Sequence, residues 1–305
     1  MELKAIAALA VVAASFACSV EVVVAETYVL PVVARGVPGK NGSYWDSEAR
    51  ISNPSGPPPG PISRLWVALP EGGFVDDPAT APRWVFPPFT FPAGMPLPSS
   101  VVVLTGDQLL QGTDAPKGAV ALQIEGTGNH VFLHNANTLG QLRLPQAAGG
   151  PACCMPGNGQ LIGALRGPLI GQGFIPWITS GRSPYRVSVG CINPTGQSRT
   201  IRIDLVLLEP WPRPSPTEQP DGTYWLAGPG GTLAVDLPPW GFRQVDDLAS
   251  IILQQCPSCD GLDRVAPAGI YLVDSDTQLP FYAYASVIWT PLNDPEFVAA
   301  VPLTQ

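Results

Sequence analysis

Charge is the scarcest resource in this chain. Only 13% of its 305 residues are Asp, Glu, Lys or Arg, too few to lace the solvent faces of long amphipathic helices. Proline (37) and glycine (32) are abundant, which disfavours helices further. The 16 basic residues never gather into a block, and they are outnumbered by 24 acidic ones, for a net charge of -8. A surface that neutralises phosphates is therefore excluded, and a nucleic-acid partner with it. There is no Gly-x-Ser-x-Gly nucleophile turn and no phosphate-cradling glycine loop with Lys and Ser or Thr. Glycine and proline show no three-residue period, so the chain is not collagen-like, and 45% apolar content is too high for a disordered one.

What is present is a succession of short apolar or alternating runs separated by Gly and Pro turns, the pattern of an all-β protein. The length fits two domains. Residues 1-25 read as an export signal: Lys4, then an apolar run from Ala5 to Ala17, then small residues at Ser15 and Ala17 or at Val23 and Ala25. Glu21 interrupts what would otherwise be a membrane-spanning length. A retained anchor and a lipidated Cys18 are the rival readings. The remainder carries no second long apolar segment and is expected outside the cytoplasm, extracellular or periplasmic, with no membrane span.

Laid against itself, the chain matches at a period near half its length. Val29-Leu30-Pro31-Val32-Val33 falls beside Phe174-Ile175-Pro176-Trp177-Ile178, with Pro31 matching Pro176, and Ile51-Ser52-Asn53-Pro54 beside Cys191-Ile192-Asn193-Pro194. Ile62 to Leu69 matches Ile201 to Leu208, Gly118 to Ile124 matches Gly269 to Val273, and Val131 to Ala136 matches Phe281 to Ser286. A short helix is expected in each half, over Asp107 to Leu110 and Asp246 to Leu253. The expected architecture is two tandem antiparallel β-sandwich modules, each with at most one short helix. Module 1 is placed at 26-145, a Gly/Pro-rich linker at 146-172 and module 2 at 173-305. Apolar residues Leu161, Ile162, Leu165, Leu169 and Ile170 predict that part of the linker packs down. Pro57 to Pro61 and Pro210 to Pro220 read as stiff loops between strands, the alternative being docking segments for aromatic grooves.

The opening pattern Leu30-Pro31-Val32-Val33-Ala34, Gly42 to Ser47 and Ile51 to Pro54, with the closing pattern Phe281 to Val287 and Asp294 to Phe297, resembles exported bacterial proteins built from tandem immunoglobulin-like β-sandwich repeats. The resemblance implies a fold and an extracytoplasmic setting, and brings no catalytic residues. The second half lacks the Trp and Asp of the opening pattern near Arg186.

Beyond Cys18 there are five cysteines. Cys191 takes the place of Ile51 on an alternating strand and reads as a buried apolar side chain. Cys153, Cys154, Cys256 and Cys259 are the disulfide candidates; a four-thiolate zinc site and a redox-active Cys256–Cys259 pair are the alternatives. His130 and His134 lie on a strand pattern about 13 Å apart, too far to share an ion. Asp76 with Asp77, and Asp274 with Asp276, read as turn residues, or as carboxylates for Ca²⁺ or glycoside hydrolysis. Trp66 belongs to an alternating run and is expected in the core. Among turn residues, Trp45, Trp211 and Trp240 are candidates for stacking on a ligand, or for plugging a sandwich end. No catalytic, cofactor-binding or metal residue is assigned and no cofactor is expected. The function expected is non-catalytic: cell-surface structure, adhesion or protein binding. A carbohydrate-binding protein and a polysaccharide hydrolase stand second and third.

Overall fold

The structure is a computed structural model that describes residues 24–38, 43–54, 59–86, 101–139, 160–180, 185–211, 223–255, 266–274, 278–289 and 294–303. Cys18 and the four disulfide candidates, Cys153, Cys154, Cys256 and Cys259, lie outside the described residues, as does Asp276. No described helix is long and apolar enough to cross a membrane.

The first half supplies β1 (Ala25–Ala34), β2 (Val37–Pro38), β3 (Ser43–Ser52), β4 (Ile62–Ala68), β5 (Phe74–Val75), β6 (Arg83–Trp84), β7 (Val101–Thr105), helix α1 (Gly106–Leu109), β8 (Lys117–Glu125), β9 (His130–Leu139) and β10 (Gln160–Gly163). The second supplies β11 (Leu169–Ile170), β12 (Gln172–Ser180), β13 (Tyr185–Ile192), β14 (Arg199–Trp211), β15 (Thr223–Leu237), β16 (Phe242–Val245), α2 (Leu248–Gln255), β17 (Ala266–Val273), β18 (Pro280–Trp289), β19 (Asp294–Ala299) and β20 (Val301–Pro302). The all-β sandwich expected from composition is what the chain adopts. A capping box starts α1, with the Thr105 side chain accepting from the Gln108 amide and the Gln108 side chain from that of Thr105.

The strands form four layers. Sheet I runs β10-β9-β3-β7, with β2 on the β3 edge, and sheet II runs β1-β8-β4-β5, with β6 on β4. Sheet III runs β19-β18-β13-β16 and sheet IV runs β20-β12-β17-β14-β15, the two joined where β11 pairs with both β12 and β18. Sheets I and IV are the outer layers. Between sheets I and II lies a core of Leu30, Ile51, Leu104, Leu122 and Leu133, and between sheets III and IV one of Cys191, Ile203, Leu237, Ile270 and Phe281. A third apolar layer joins the halves: Val29, Trp66, Ala68, Ala119 and Ala121 of sheet II pack with Ile192, Phe242, Tyr282 and Tyr284 of sheet III.

Burial on both faces explains two runs that do not alternate. Gly118 to Leu122 in β8 and Phe281 to Ile288 in β18 are buried at every position, because each strand has an apolar layer on either side. By contrast β14 alternates buried Ile201, Ile203 and Leu205 with solvent-facing Arg202 and Asp204.

Strand orders of sheets II and IV correspond, as do those of I and III. The ladders correspond in detail. Leu30 pairs with Val120 and Val33 with Gly118 around a bulge at Pro31-Val32; Ile175 pairs with Ile270 and Ile178 with Ala268 around a bulge at Pro176-Trp177. Proline is tolerated at a bulge because no ladder hydrogen bond is asked of it. Two sequence matches need correction. Gly118 stands opposite Ala268 and not Gly269; a one-residue slip exchanges the faces, and neighbouring glycines concealed it. With Ser52 and Ile192 equivalent, His130 corresponds to Tyr282 and His134 to Ser286, two residues from the sequence match. That shift preserves the face, so alternation alone could not reveal it.

Residues 160–170 stitch the halves together. Ile162, Leu165 and Leu169 are buried, whereas Leu161 and Ile170 are exposed. Leu165 exchanges both backbone hydrogen bonds with Val29 (2.8 and 2.9 Å), and Arg166 lies over the Tyr28 ring while donating to the Asn129 carbonyl (2.7 Å). At the opposite side, the Leu69 amide donates to the Trp240 carbonyl (3.1 Å) and the Phe242 amide to the Leu69 carbonyl (3.0 Å). Gly73 is required there: a Cβ would sit 1.8 Å from the Val67 carbonyl oxygen and 2.8 Å from that of Trp240. Trp66 is the largest buried side chain of the shared layer, and Trp66→Ala is expected to lower stability by about 3–5 kcal/mol in urea unfolding. A loss below about 1 kcal/mol would show that sheet II does not pack on sheet III through this residue.

Candidate functional site

The outer face of sheet I differs from every other exposed surface of the described residues. Of the ten large apolar side chains that are exposed among those residues, five (Tyr44, Val101, Val103, Phe132 and Leu161) lie on this one face. Cross-strand registers arrange them in rows. Val103, Arg50 and Phe132 form one row, and Thr105, Glu48, His134 and Leu161 the next. Val101, Ser52 and His130 form a third. Clustering of this kind marks a binding surface more often than scattered exposed apolar residues do. Three of its polar members are paired with one another: Arg50 Nη2 lies 3.3 Å from Glu48 Oε2 and 3.5 Å from His134 Nδ1. The face is thus an apolar patch crossed by a short charged row.

The equivalent face of sheet III is covered. Where sheet I has Arg50 and Phe132, sheet III has Gly190 and Tyr284, paired across β13 and β18. Tyr284 lies flat over Gly190, where a Cβ would fall 2.1 Å from the ring, and it donates to Gln244 Oε1 at 2.9 Å. Phe297 stacks on it at 5.1 Å. Sequence reading missed the sheet I face because Val101-Val102-Val103-Leu104 looks like an interior strand, when only Val102 and Leu104 point inward.

The tryptophans and histidines singled out in the sequence occupy quite different surroundings. Trp240, at φ 51 in the turn before β16, packs its ring 6.2 Å from that of Trp66, which in turn lies 6.4 Å from Tyr282. It is part of the junction between the halves and not an isolated platform. Trp66 is buried, in the shared layer and not inside one sandwich. Trp45 is half-buried at the end of sheet I, on the inward-facing side of β3 opposite Val37 and Asn137. Trp211 ends β14; its side chain lies outside the described residues. Trp45, at the end of sheet I, and Trp240, in the junction between the halves, do not share one surface. Both histidines lie on the outer face of β9 as the strand reading required.

The acidic turn residues are engaged locally. Asp76 is gripped in bidentate fashion by Arg64 (2.7 and 2.8 Å), which also donates to the Leu109 and Gln111 carbonyls. Asp77 caps its own turn by accepting from the Ala79 amide at 2.9 Å. Asp274 pairs with Arg199 at 3.2 Å, both side chains fully buried. Arg199 also donates to the Leu279 and Pro280 carbonyls and to Thr195 Oγ1. Burial lowers its pKa, and Asp274 opposes that fall. A cleft of about 460 Å³ between the Pro70–Glu71 turn and the ends of β14, β15 and β16 carries Glu71 and Asp236 against Arg199 and Arg243. Its charges balance within its own walls, and no histidine or cysteine lines it.

Comparison with family models, with curated proteins and with solved structures returns no match for this chain.

The buried groups make two predictions. Asp274→Asn leaves the Arg199 charge buried and uncompensated, so stability should fall by about 3–5 kcal/mol in denaturant titration; an unchanged midpoint would show that the pair is not sequestered. Burial pushes the Cys191 thiol up to about 12. Its contribution is fully present below the unfolded thiol's range, near pH 9, and is lost as pH rises from there toward 12. The thiol should resist iodoacetamide in the native protein. In Cys191→Val the decline of stability with pH over that window should be shallower by one proton, and an identical slope would contradict the assignment.

Proposed function

We propose that this chain is an exported, non-catalytic protein that works in cell-surface structure or adhesion by presenting the outer face of sheet I to a protein partner. The clustering of Val101, Val103, Phe132 and Leu161, with Tyr44 farther along β3 on the same face, carries the reading. Flat sheet faces with apolar side chains and a self-neutralised charged row suit another folded surface better than a small ligand, which needs a concave site. The signal-like residues 1-25 support export, with maturation after Ala17 or Ala25. The engagement of Asp76 and Asp274 by buried arginines favours binding over hydrolysis, since neither carboxylate is available to act on a substrate. Trp240's place in the junction weighs against carbohydrate stacking by the three loop tryptophans.

The test is a photoreactive residue at position 161 in the full chain, activated in the producing cell. Adducts to polypeptide are expected, and Phe132→Glu should abolish them without changing the melting temperature. Adducts to glycan alone, or none, would contradict the reading.

A further inference from the structure

The four layers have a direction. Sheets I and III are equivalent, as are II and IV, so within one chain a II-type face covers a III-type face. Such a contact is heterologous: it uses two different surfaces and leaves one of each kind free at the ends of the stack. The free ends are the outer face of sheet I and the outer face of sheet IV. We propose that copies of this chain stack head to tail, with sheet IV of one copy docking on sheet I of the next as sheet II docks on sheet III inside each copy. This rests on the reading of the sheet I face as a docking surface, and names its partner as a second copy.

Equivalent positions decide whether the outer faces suit each other. Inside the chain, Trp66 of sheet II lies 6.4 Å from Tyr282 of sheet III. Trp66 pairs with Ala121 as Asp204 pairs with Tyr271, and Tyr282 pairs with Ile192 as His130 pairs with Ser52. The repeated contact therefore sets Asp204 of one copy against His130 of the next, an acid against a base. Of the other positions, Ile192 becomes the polar Ser52, and the following ones are apolar on both sides. Val29 and Ala121 become Phe174 and Tyr271, whose rings already touch at 4.7 Å. Opposite them, Tyr284 and Phe297 become Phe132 and Leu161. Val301 extends the same row on sheet IV, beside Phe174, and is exposed. The register that the chain already uses internally thus brings the apolar side chains of the two faces together and sets Asp204, ion-paired with Arg202 at 2.9 Å, against His130.

The rival is an isologous contact of sheet I with sheet I, which would close at a dimer. It would set Arg50 and Glu48 against their own copies without involving sheet IV, and so makes a different prediction.

Sedimentation velocity on the full chain over a range of concentrations separates these. The expected result is association that continues past the dimer, weakened roughly tenfold or more by Phe132→Glu on sheet I and equally by Val301→Glu on sheet IV. An equal mixture of these two variants should stop at a one-to-one dimer, because it offers one intact sheet I face to one intact sheet IV face. Leu161→Lys and Asp204→Lys, both at positions that the register places in the contact, repeat the test should either first variant lower the melting temperature. A monomer at every concentration overturns the proposal, as does a dimer that ignores the sheet IV variants. If the protein stays monomeric while position 161 still links to a different protein in the cell, stacking fails and the docking face stands. If neither occurs, both fail.

Discussion

Two of the four sheets are buried on both faces, and the rest of the structure follows from that burial. A sandwich sheet ordinarily needs one apolar face, turned toward its own partner sheet. Sheets II and III carry a second, built on sheet II from small residues (Ala68, Ala119, Ala121) around the single large Trp66, and on sheet III from large aromatic ones (Phe242, Tyr282, Tyr284). Small against large lets the layers approach closely, and the hydrophobic effect then favours two joined sandwiches over two separate ones. Backbone hydrogen bonds at the margins, from Leu69 to Trp240 and Phe242 and from Leu165 to Val29, fix the angle and register of the contact.

Much of the fold was legible in the sequence, and the places where it was not are instructive. Pro31 and Pro176 could be matched because proline in a strand has few permitted places, and both occupy the same bulge. Asn53 and Asn193 could be matched because each ends its strand buried, donating from Nδ2 to loop carbonyls, a role few side chains fill. The Gly118 and His130 matches drifted because they rested on glycine identity and on alternation, and neither fixes register. Continuous apolar runs in β8 and β18 signalled burial on both faces, yet could not say which sheet lay on the far side. The exposed sheet I face was hidden for the converse reason: its valines look like core until a structure shows which of them have a covering layer.

The candidate site is in the same way a consequence of position and not of special residues. Arg64 and Arg199 each hold an aspartate that, read alone, resembled catalytic machinery. Trp240, read alone, resembled a sugar platform and instead seals the seam between halves. Once those groups are assigned to structure, the described surface retains an apolar face crossed by a short charged row on sheet I, with the outer face of sheet IV at the other end of the stack.

The ends of the stack are set by its middle, where sheet II meets sheet III. Nuclear Overhauser transfer between the ring protons of Trp66 and Tyr282, in selectively labelled protein, reads that contact directly across the two halves. With ring centroids 6.4 Å apart, strong transfer is expected, together with transfer from Trp66 to Trp240 at 6.2 Å. Absence of both, with the two halves tumbling at different rates, would contradict the shared layer.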